Sequence, residues 1–311
     1  MGNFVGHKII IDSFKKRVDL GEISHAHIIV GPDGIGKSNL ANKFARNILG
    51  KLEEKEYVDI INYRCKKASF GVDDVREIVE EINKKPFEGD KKVIIIYDGN
   101  KLTVQAQNAL LKTIEEPPKG VFIILLCESL ELILDTIKSR CQIYKLSPLN
   151  KKEIRFYLDN INNNDFSEEE INAAIAYSEG VPGKAEAFLK DSSLKELRNI
   201  LEELLYLIIK SSSIEILDFE TKIVAFKDKK EDILNILASF IRDIIVYKEI
   251  DNVNGIINGD KVESIKKLAI EMSYKKLNNI IDKIGEARKS LLSNSNFQLT
   301  IRVMLIGFME V

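Results

Sequence analysis

An eight-residue stretch near the start of the chain has the residue types and spacing of a phosphate-binding loop. The sequence GPDGIGKS, which begins at Gly31, matches the pattern G-x-x-x-x-G-K-[ST] at every fixed position. Glycines such as Gly34 and Gly36 let backbone N–H groups curl around phosphate oxygens. In this kind of loop Lys37 reaches the outer phosphates and the Ser38 hydroxyl ligates magnesium. The motif predicts a site for ATP or ADP with magnesium, and the alternative is a glycine-rich turn that binds nothing.

The elements that must position this loop are also visible in the sequence. Residues 26–30, AHIIV, form an apolar run typical of a buried strand, and residues 39–49 carry apolar side chains at helical spacing. Gly50 follows at a position where helices often end on a glycine. A strand, a loop and a helix in this order place a phosphate at a helix N-terminus, where free N–H groups and the helix dipole attract anions.

Strands and helices alternate over the first half of the chain, and only helices are predicted after it. Apolar runs predict further strands at 58–63, 93–97, 121–126 and 142–146, with helices between them. Near-continuous apolar strands separated by helices indicate a parallel sheet covered on both faces. The strand pattern stops at Pro148. We therefore expect an α/β nucleotide-binding domain followed by helical domains.

The composition limits the classes of protein to consider. The chain has 311 residues, 45% hydrophobic and 30% charged, so we expect a soluble, cytoplasmic protein of two or three domains. Its net charge of −2 gives no general attraction for nucleic acid, and we interpret the lysine pairs 66–67 and 91–92 as solvated charge rather than DNA contacts. The three cysteines and three histidines lack metal-binding spacing, so no zinc is expected. The apolar runs are too short to span a membrane.

Two further stretches carry the signature of a family. They are NALLKTIEEPP, from Asn108 to Pro118, and DTIKSRC, from Asp135 to Cys141. Together with the phosphate loop they resemble the clamp-loader branch of the AAA+ ATPases, and within it the delta-prime type of subunit of bacterial DNA polymerase III. The resemblance covers nearly the whole chain.

The resemblance implies a fold and a set of partners. The fold is an AAA+ P-loop domain with a parallel sheet at 1–148, a small helical lid domain at 149–191 and an all-helical collar domain at 192–311. The partners are the gamma/tau and delta subunits of a hetero-oligomeric, pentameric ring. Through that ring the chain would meet the sliding clamp and primer–template DNA, and no membrane is involved.

The resemblance also implies a role for Arg140. In the family this arginine is a finger that reaches the nucleotide of a neighbouring subunit. A planar, permanently charged guanidinium suits the charge on a transferred phosphoryl group. By residue type alone, the alternative is a local surface ion pair.

Departures from the active ATPases of the family indicate that hydrolysis is weak or absent. Tyr97 falls on the position of the carboxylate that holds magnesium, and Asp98 is at most a degenerate replacement, because one residue along a strand changes the face. Glu128 falls near the position where active members of the family have a polar residue that senses the phosphate. Gly183 falls on the position where they have a sensor arginine. The zinc-binding cysteine module common in the family is missing.

Two other functions stay open at this point. An active ATPase of the gamma/tau type would need the carboxylate and sensors that are replaced here. An unrelated P-loop enzyme, such as a kinase, would not explain the Ser-Arg-Cys triplet at 139–141 or the long helical C-terminus.

Overall fold

Five parallel strands form the sheet that positions the phosphate loop. In chain order they are β1 (Ala26–Val30), β2 (Ile60–Tyr63), β3 (Lys92–Ile96), β4 (Val121–Cys127) and β5 (Gln142–Lys145). Their order across the sheet is β2-β3-β4-β1-β5, so the strand that leads into the loop has a neighbour on each side.

The computed structural model of the chain describes residues 5–65, 67, 69–161, 165–210, 213–250 and 255–310.

The chain divides into two compact units. The first comprises Met1–Ile161 and Gly180–Gly183, and the second comprises Asn162–Glu179 and Lys184–Val311. Around the sheet, the first unit has the helices α1 (Lys8–Leu20), α2 (Lys37–Ile48), α3 (Val72–Asn83), α4 (Val104–Glu115), α5 (Asp135–Lys138) and α6 (Lys151–Ile161).

The three central strands of the sheet, β1, β3 and β4, bury both of their faces. Along β3, Ile94 and Ile96 pack with the apolar side chains of α3 and α4, whereas Val93 and Ile95 pack with those of α1 and α2. This is why the strands are apolar at nearly every position instead of alternating. Full burial of one such side chain contributes about 1.5–3 kcal/mol, so the two layers hold the strand ends, and the loops that follow them, in place.

A buried lysine corrects one expectation from the sequence. Lys92 at the start of β3 is almost fully buried, and its ammonium donates to the backbone carbonyl oxygens of Glu81 (2.5 Å) and Lys84 (2.7 Å) at the end of α3. The interpretation of Lys92 as solvated charge was therefore wrong, because the carbonyls at a helix C-terminus provide acceptors for it. Of the other lysine pair, Lys66 lies outside the described residues.

The second unit is built of helices around one apolar core. They are α7 (Glu168–Tyr177), α8 (Pro182–Lys190, whose first two residues belong to the first unit), α9 (Ser192–Lys210), α10 (Ser213–Val224), α11 (Lys230–Ile250), α12 (Val262–Glu271), α13 (Tyr274–Leu292) and α14 (Phe297–Gly307). The core draws on side chains such as Leu201, Phe240 and Phe308, which are fully buried. Among the described helices, none is long and apolar enough to cross a membrane.

The predicted parallel sheet followed by helices is confirmed, with differences at element ends. The strand predicted at 58–63 begins at Ile60, and Val58 is exposed. α1 had not been predicted, because the neighbouring isoleucines at its start give no helical stripe and Phe14 is its one fully buried side chain in the described structure. The cap at Thr103 is confirmed, since its hydroxyl accepts from the N–H of Ala106 (3.2 Å).

Candidate nucleotide site and arginine finger

The phosphate loop joins β1 to α2 and has a backbone that only glycine adopts easily. Gly34 and Gly36 have φ angles of +78° and +103°. Gly31 has no room for a side chain, because an added Cβ would lie 2.9 Å from the carbonyl oxygen of Leu146. α2 begins at Lys37, so the loop ends on N–H groups that have no acceptor within the helix. The backbone therefore has the conformation that phosphate binding requires.

Lys37 folds back over the loop. Its ammonium donates to the carbonyl oxygens of Gly31 (2.9 Å) and Pro32 (3.0 Å). Burial lowers the pKa of Lys37, and the carboxylates of Asp33 and Glu128 oppose that shift only in part. A phosphate in the loop would offer this ammonium a charged acceptor in place of two neutral carbonyls.

A cavity of about 200 Å³ lies beside the loop, at the carboxyl ends of β3 and β4. This is the edge at which parallel α/β sheets bind their ligands. Charged and polar side chains dominate the lining, with three cations and three carboxylates among them. The lining residues are Asp33, Lys37, Ser38, Arg64, Tyr97, Asp98, Asn100, Lys101, Leu126, Cys127 and Glu128.

Tyr97 follows the last residue of β3 and is held by groups of the neighbouring strand. Its hydroxyl donates to Oδ1 of Asn62 (3.2 Å), and its backbone N–H donates to the carbonyl oxygen of Tyr63 (2.8 Å). The guanidinium of Arg64 stacks on its ring, with Cζ 3.7 Å from the ring centroid. At the position where the sequence comparison expected a carboxylate, the structure thus has a fixed phenol beneath a cation.

Asp98 lines the cavity but is already paired. Its backbone is left-handed, with φ of +55°, which is uncommon for a residue other than glycine, and it begins a short 3₁₀ turn over Gly99–Lys101. Its Oδ1 lies 3.4 Å from the ammonium of Lys101. Asp98 therefore faces the ligand cavity as half of an ion pair.

The end of β4 contributes a carboxylate and a thiol. Glu128 is exposed, and its backbone N–H donates to Oδ1 of Asn100 (2.8 Å), which fixes the turn. Burial raises the pKa of the Cys127 thiol to about 12, so this side chain is neutral at any pH near 7. A carboxylate at the rim of the cavity repels additional negative charge on a bound phosphate.

Gly183 packs directly against the phosphate loop. Its N–H donates to the carbonyl oxygen of Gly34 (3.0 Å), and an added Cβ would lie 2.8 Å from the Gly34 Cα. No side chain fits at this position. The absence of a sensor arginine here is therefore built into the backbone packing of the loop.

Arg140 is half-exposed and is held from one side. Its Nε lies 2.6 Å from Oε1 of Glu115, and its Nη1 donates to the carbonyl oxygen of Thr136 (2.9 Å) and to Oγ of Ser139 (3.2 Å). Nη2 donates to none of the described residues, and 41% of the side chain is exposed. Within this chain Arg140 makes the local ion pair that the sequence left as an alternative, and one edge of its guanidinium stays open.

A buried glutamine connects the helix that bears Glu115 to the segment that leads to Arg140. Gln107 of α4 donates to the carbonyl oxygens of Leu102 (3.1 Å) and Leu132 (2.8 Å) and accepts from the N–H of Leu134 (2.8 Å). All three partners are backbone groups. These hydrogen bonds attach the turn before α5 to α4. The two signature segments, 108–118 and 135–141, are therefore held next to each other.

Of the predicted site residues, Lys37, Ser38 and Asp98 line one cavity, whereas the three glycines of the loop and Arg140 do not line it. Three side chains with clear contacts to the site had not been singled out from the sequence: Arg64, Gln107 and Glu115. Arg64 had a usable signal, because it comes directly after a strand, at the edge of the sheet that binds ligands. The other two act through contacts with residues about 25 positions away, which spacing along the chain does not reveal.

Comparison with known proteins decides the family. Two family models match this chain, one for the DNA polymerase III delta subunit over residues 6–150 and one for the C-terminal part of that subunit over residues 192–310. The chain belongs to this family. The resemblance to the clamp-loader branch, and within it the delta-prime type, is confirmed.

Individual relatives agree with this placement of the chain within the DNA polymerase III family. A DNA polymerase III subunit gamma of Buchnera aphidicola subsp. Schizaphis graminum is 27% identical over 340 residues, covering 99% of this chain and 89% of that protein. The DNA polymerase III subunit delta-prime of Bacillus subtilis is 26% identical over 322 residues, covering 97% and 95%. A crystal structure of a gamma-subunit-related protein from Thermotoga maritima shares the fold, with a TM-score of 0.53 and 19% identity over 96% of this chain and 98% of that one.

Proposed function

We propose that this chain is a clamp-loader subunit that binds a nucleotide without hydrolysing it appreciably and that supplies Arg140 to the nucleotide of a neighbouring subunit. The observation that carries the first part is Tyr97, the fixed phenol at the metal-holding position. The lack of room for a side chain at Gly183 and the carboxylate of Glu128 support it.

The residues of the loop fit the phosphates of ATP or ADP. Lys37 would hold the outer phosphates, and the N–H groups of Gly34, Gly36 and Ser38 would surround their oxygens. The same residues do not fit a magnesium ion well. Ser38 offers one oxygen, but the acid nearest to the metal position, Asp98, is paired with Lys101. A triphosphate bound here would thus lack the carboxylates that position a metal and an attacking water in the active members of the group.

Arg140 is suited to act on another subunit. The side chain of an arginine finger must be held in one orientation, and some of its N–H donors must be free to bind the phosphate. Its effect comes from a positive charge that is already in place beside the developing negative charge. The bonds to Glu115 and to the carbonyl of Thr136 supply the first property, and the open Nη2 edge supplies the second. The geometry therefore favours the finger over a purely structural ion pair.

Assembly into a ring rests on the helical unit in this proposal. α14 has three apolar side chains at helical spacing that are well exposed, namely Leu299, Val303 and Ile306. A stripe of this kind suits contact with helices of other subunits. We propose that the segment 192–311 is the collar, that 149–191 is the lid and 1–148 the AAA+ domain, and that gamma/tau and delta subunits, a sliding clamp and primed DNA are the partners.

The two alternative functions predict different behaviour of the pure chain. An active gamma/tau-type motor would turn over ATP in a magnesium-dependent manner, and so would most unrelated P-loop enzymes once given a substrate. The proposed subunit should bind a labelled nucleotide and release almost no phosphate. Lys37→Ala should abolish the binding, because it removes the charge that meets the outer phosphates.

The test is to measure nucleotide binding and steady-state phosphate release on the same preparation of the full chain, with Lys37→Ala as the control for a contaminating ATPase. Robust turnover by the wild type that Lys37→Ala removes would contradict the proposal and establish the motor alternative. Phosphate release that is equal in both proteins would belong to a contaminant.

A further inference from the structure

The space beside the phosphate loop is unsuited to a divalent cation ligated by this protein. Magnesium requires near-octahedral oxygen ligands at about 2.0–2.1 Å and is usually held by one or two carboxylates besides the phosphates. The hydroxyl of Tyr97 is directed to Asn62, and the carboxylate of Asp98 is paired with Lys101. Over the described ranges, no group of three or more His, Cys, Asp or Glu side chains is arranged to hold a metal.

A protein cation lies where the metal's charge would be needed. Arg64 comes directly after β2, stacks on the ring of Tyr97 and lines the same cavity as Lys37 and Ser38. In the part of the chain that the structure describes, no carboxylate forms an ion pair with it. A guanidinium whose centre lies over an aromatic ring contacts the ring with its face and does not use its N–H donors there, and the edge of a guanidinium can bind two phosphate oxygens at once.

We propose that the phosphate loop of this protein binds a nucleoside diphosphate without a divalent cation, with Arg64 supplying the positive charge that magnesium supplies in other phosphate-loop sites. The inference rests on the proposed binding of nucleotide at Lys37. It explains why a tyrosine occupies the metal position, because the ring is the platform on which the guanidinium is stacked.

The charges around the cavity favour a diphosphate over a triphosphate. One guanidinium carries a single positive charge, whereas magnesium carries two, so a third phosphate group would be less well neutralised. Glu128 at the rim adds repulsion against it. The site should therefore bind ADP more tightly than ATP in the absence of metal.

The experiment is equilibrium binding of a fluorescent ADP analogue, mant-ADP, to the full chain, once with EDTA and once with magnesium. We expect the two dissociation constants to agree within about threefold, and Arg64→Ala to weaken binding in EDTA by about tenfold or more. Arg64→Lys should fall between the two, because it keeps the charge but loses the planar fork. Arg76→Ala, which removes an exposed arginine of α3 that pairs with Asp73, is the matched control and should bind as the wild type does.

A second variant distinguishes a specific loss of nucleotide binding from a loss of folded structure. Tyr97→Asp in the Arg64→Ala background restores a carboxylate at the end of β3, and binding should then become dependent on magnesium. The proposal is overturned if magnesium tightens wild-type binding at least about tenfold, or if Arg64→Ala binds as well as the wild type in EDTA. Absence of binding under both conditions would overturn it together with the nucleotide part of the proposed function, and would leave the role of Arg140, which is measured in the assembled complex, untouched.

Discussion

Two groups of charged side chains in this protein are arranged in opposite ways. In the helical unit, Asp243 is fully buried, and its carboxylate accepts from the N–H of Ile257 (3.0 Å) and from both the N–H and the amide of Asn258 (2.8 Å each). In the first unit, Asp98 lies at an open cavity with Lys101 as its partner. The carboxylate of Asp243 is surrounded by donors of its own chain, whereas that of Asp98 has a single lysine partner at the edge of a cavity.

The same contrast holds for the arginines of the two regions. Arg198 is buried, donates to both carboxylate oxygens of Asp260 (2.9 Å each) and to Oδ1 of Asn258 (3.1 Å), and stacks on Phe188. Arg64 is also stacked on a ring, but it is exposed and has no such partners in the described structure. Arg198 directs both of its Nη groups to partners in its own chain, although its buried Nε has no partner among the described residues. Donors that are open beside a cavity, as in Arg64, are available to a ligand.

The largest expected effect is therefore on stability, in the helical unit. Asp243→Ala removes the acceptor of four donors, the N–H of Ile257, the N–H and amide of the buried Asn258 and the guanidinium of Arg242, so we expect a loss of about 3–5 kcal/mol in the free energy of unfolding. Urea denaturation followed by circular dichroism measures it, with exposed Asp228→Ala as the control. A loss as small as that of the control would mean that the Asp243 cluster is not what holds α11 to the following turn.

A buried histidine near the start of β1 gives an effect that depends on pH. His27 of β1 is 1% exposed, and burial lowers its pKa from 6.5 to about 4. An interaction with the backbone of Ser24 opposes this shift, and the charges of His25 and Arg17 add to it. The unfolded chain then binds the extra proton between pH 6.5 and about 4, so this contribution to stability is fully present above pH 6.5 and is lost as the pH falls through that window.

The size of that effect is at most about 3 kcal/mol, the equivalent of a pKa shift of this magnitude. His27→Phe fits the aromatic surroundings of Phe14, Phe44 and Tyr144 and cannot titrate. The difference in unfolding free energy between wild type and variant, measured at pH 7 and again near pH 4, isolates the contribution. An identical pH dependence of the two proteins would show that His27 is not buried in its neutral form.

A smaller effect is expected at the glutamine that fixes the turn before Arg140. Gln107→Ala leaves three backbone groups without their partner, and we expect a loss of about 1–3 kcal/mol. Gln105→Ala on the exposed side of the same helix is the matched control. Equal stability of the two variants would mean that backbone relaxation or water replaces the bonds of Gln107.

The sequence predicted those parts of the molecule that depend on neighbouring residues along the chain. The phosphate loop, the flanking strand and helix and the cap at Thr103 follow from local spacing and from residue types with known conformational preferences. The sheet was predictable because its central strands are buried on both faces and are apolar at nearly every position. These features need no knowledge of the tertiary structure.

The remaining parts depend on contacts between distant segments. The position of Arg64 on Tyr97 requires that β2 and β3 are neighbours, and the bond from Arg140 to Glu115 requires the packing of α5 near the end of α4. Lys92 looked like a solvated charge, because its acceptors belong to the end of another element. Pairings of this kind are fixed by the fold and leave no periodic pattern in the sequence.

The most direct test of the account is the ATPase rate of the assembled clamp-loader complex, with its clamp and primed DNA, when this subunit carries Arg140→Ala. Because Arg140 is half-exposed and makes one surface ion pair, the variant should fold, lose less than about 1 kcal/mol of stability and still join the complex. A finger contributes about 10³-fold or more to its own site, but a ring has several sites, so total turnover should fall in part. Arg155→Ala, which removes another surface ion pair, should leave the rate unchanged. A clear partial loss with Arg140→Ala alone is the predicted result, and equal turnover of all three complexes would contradict the assignment of Arg140 as a finger.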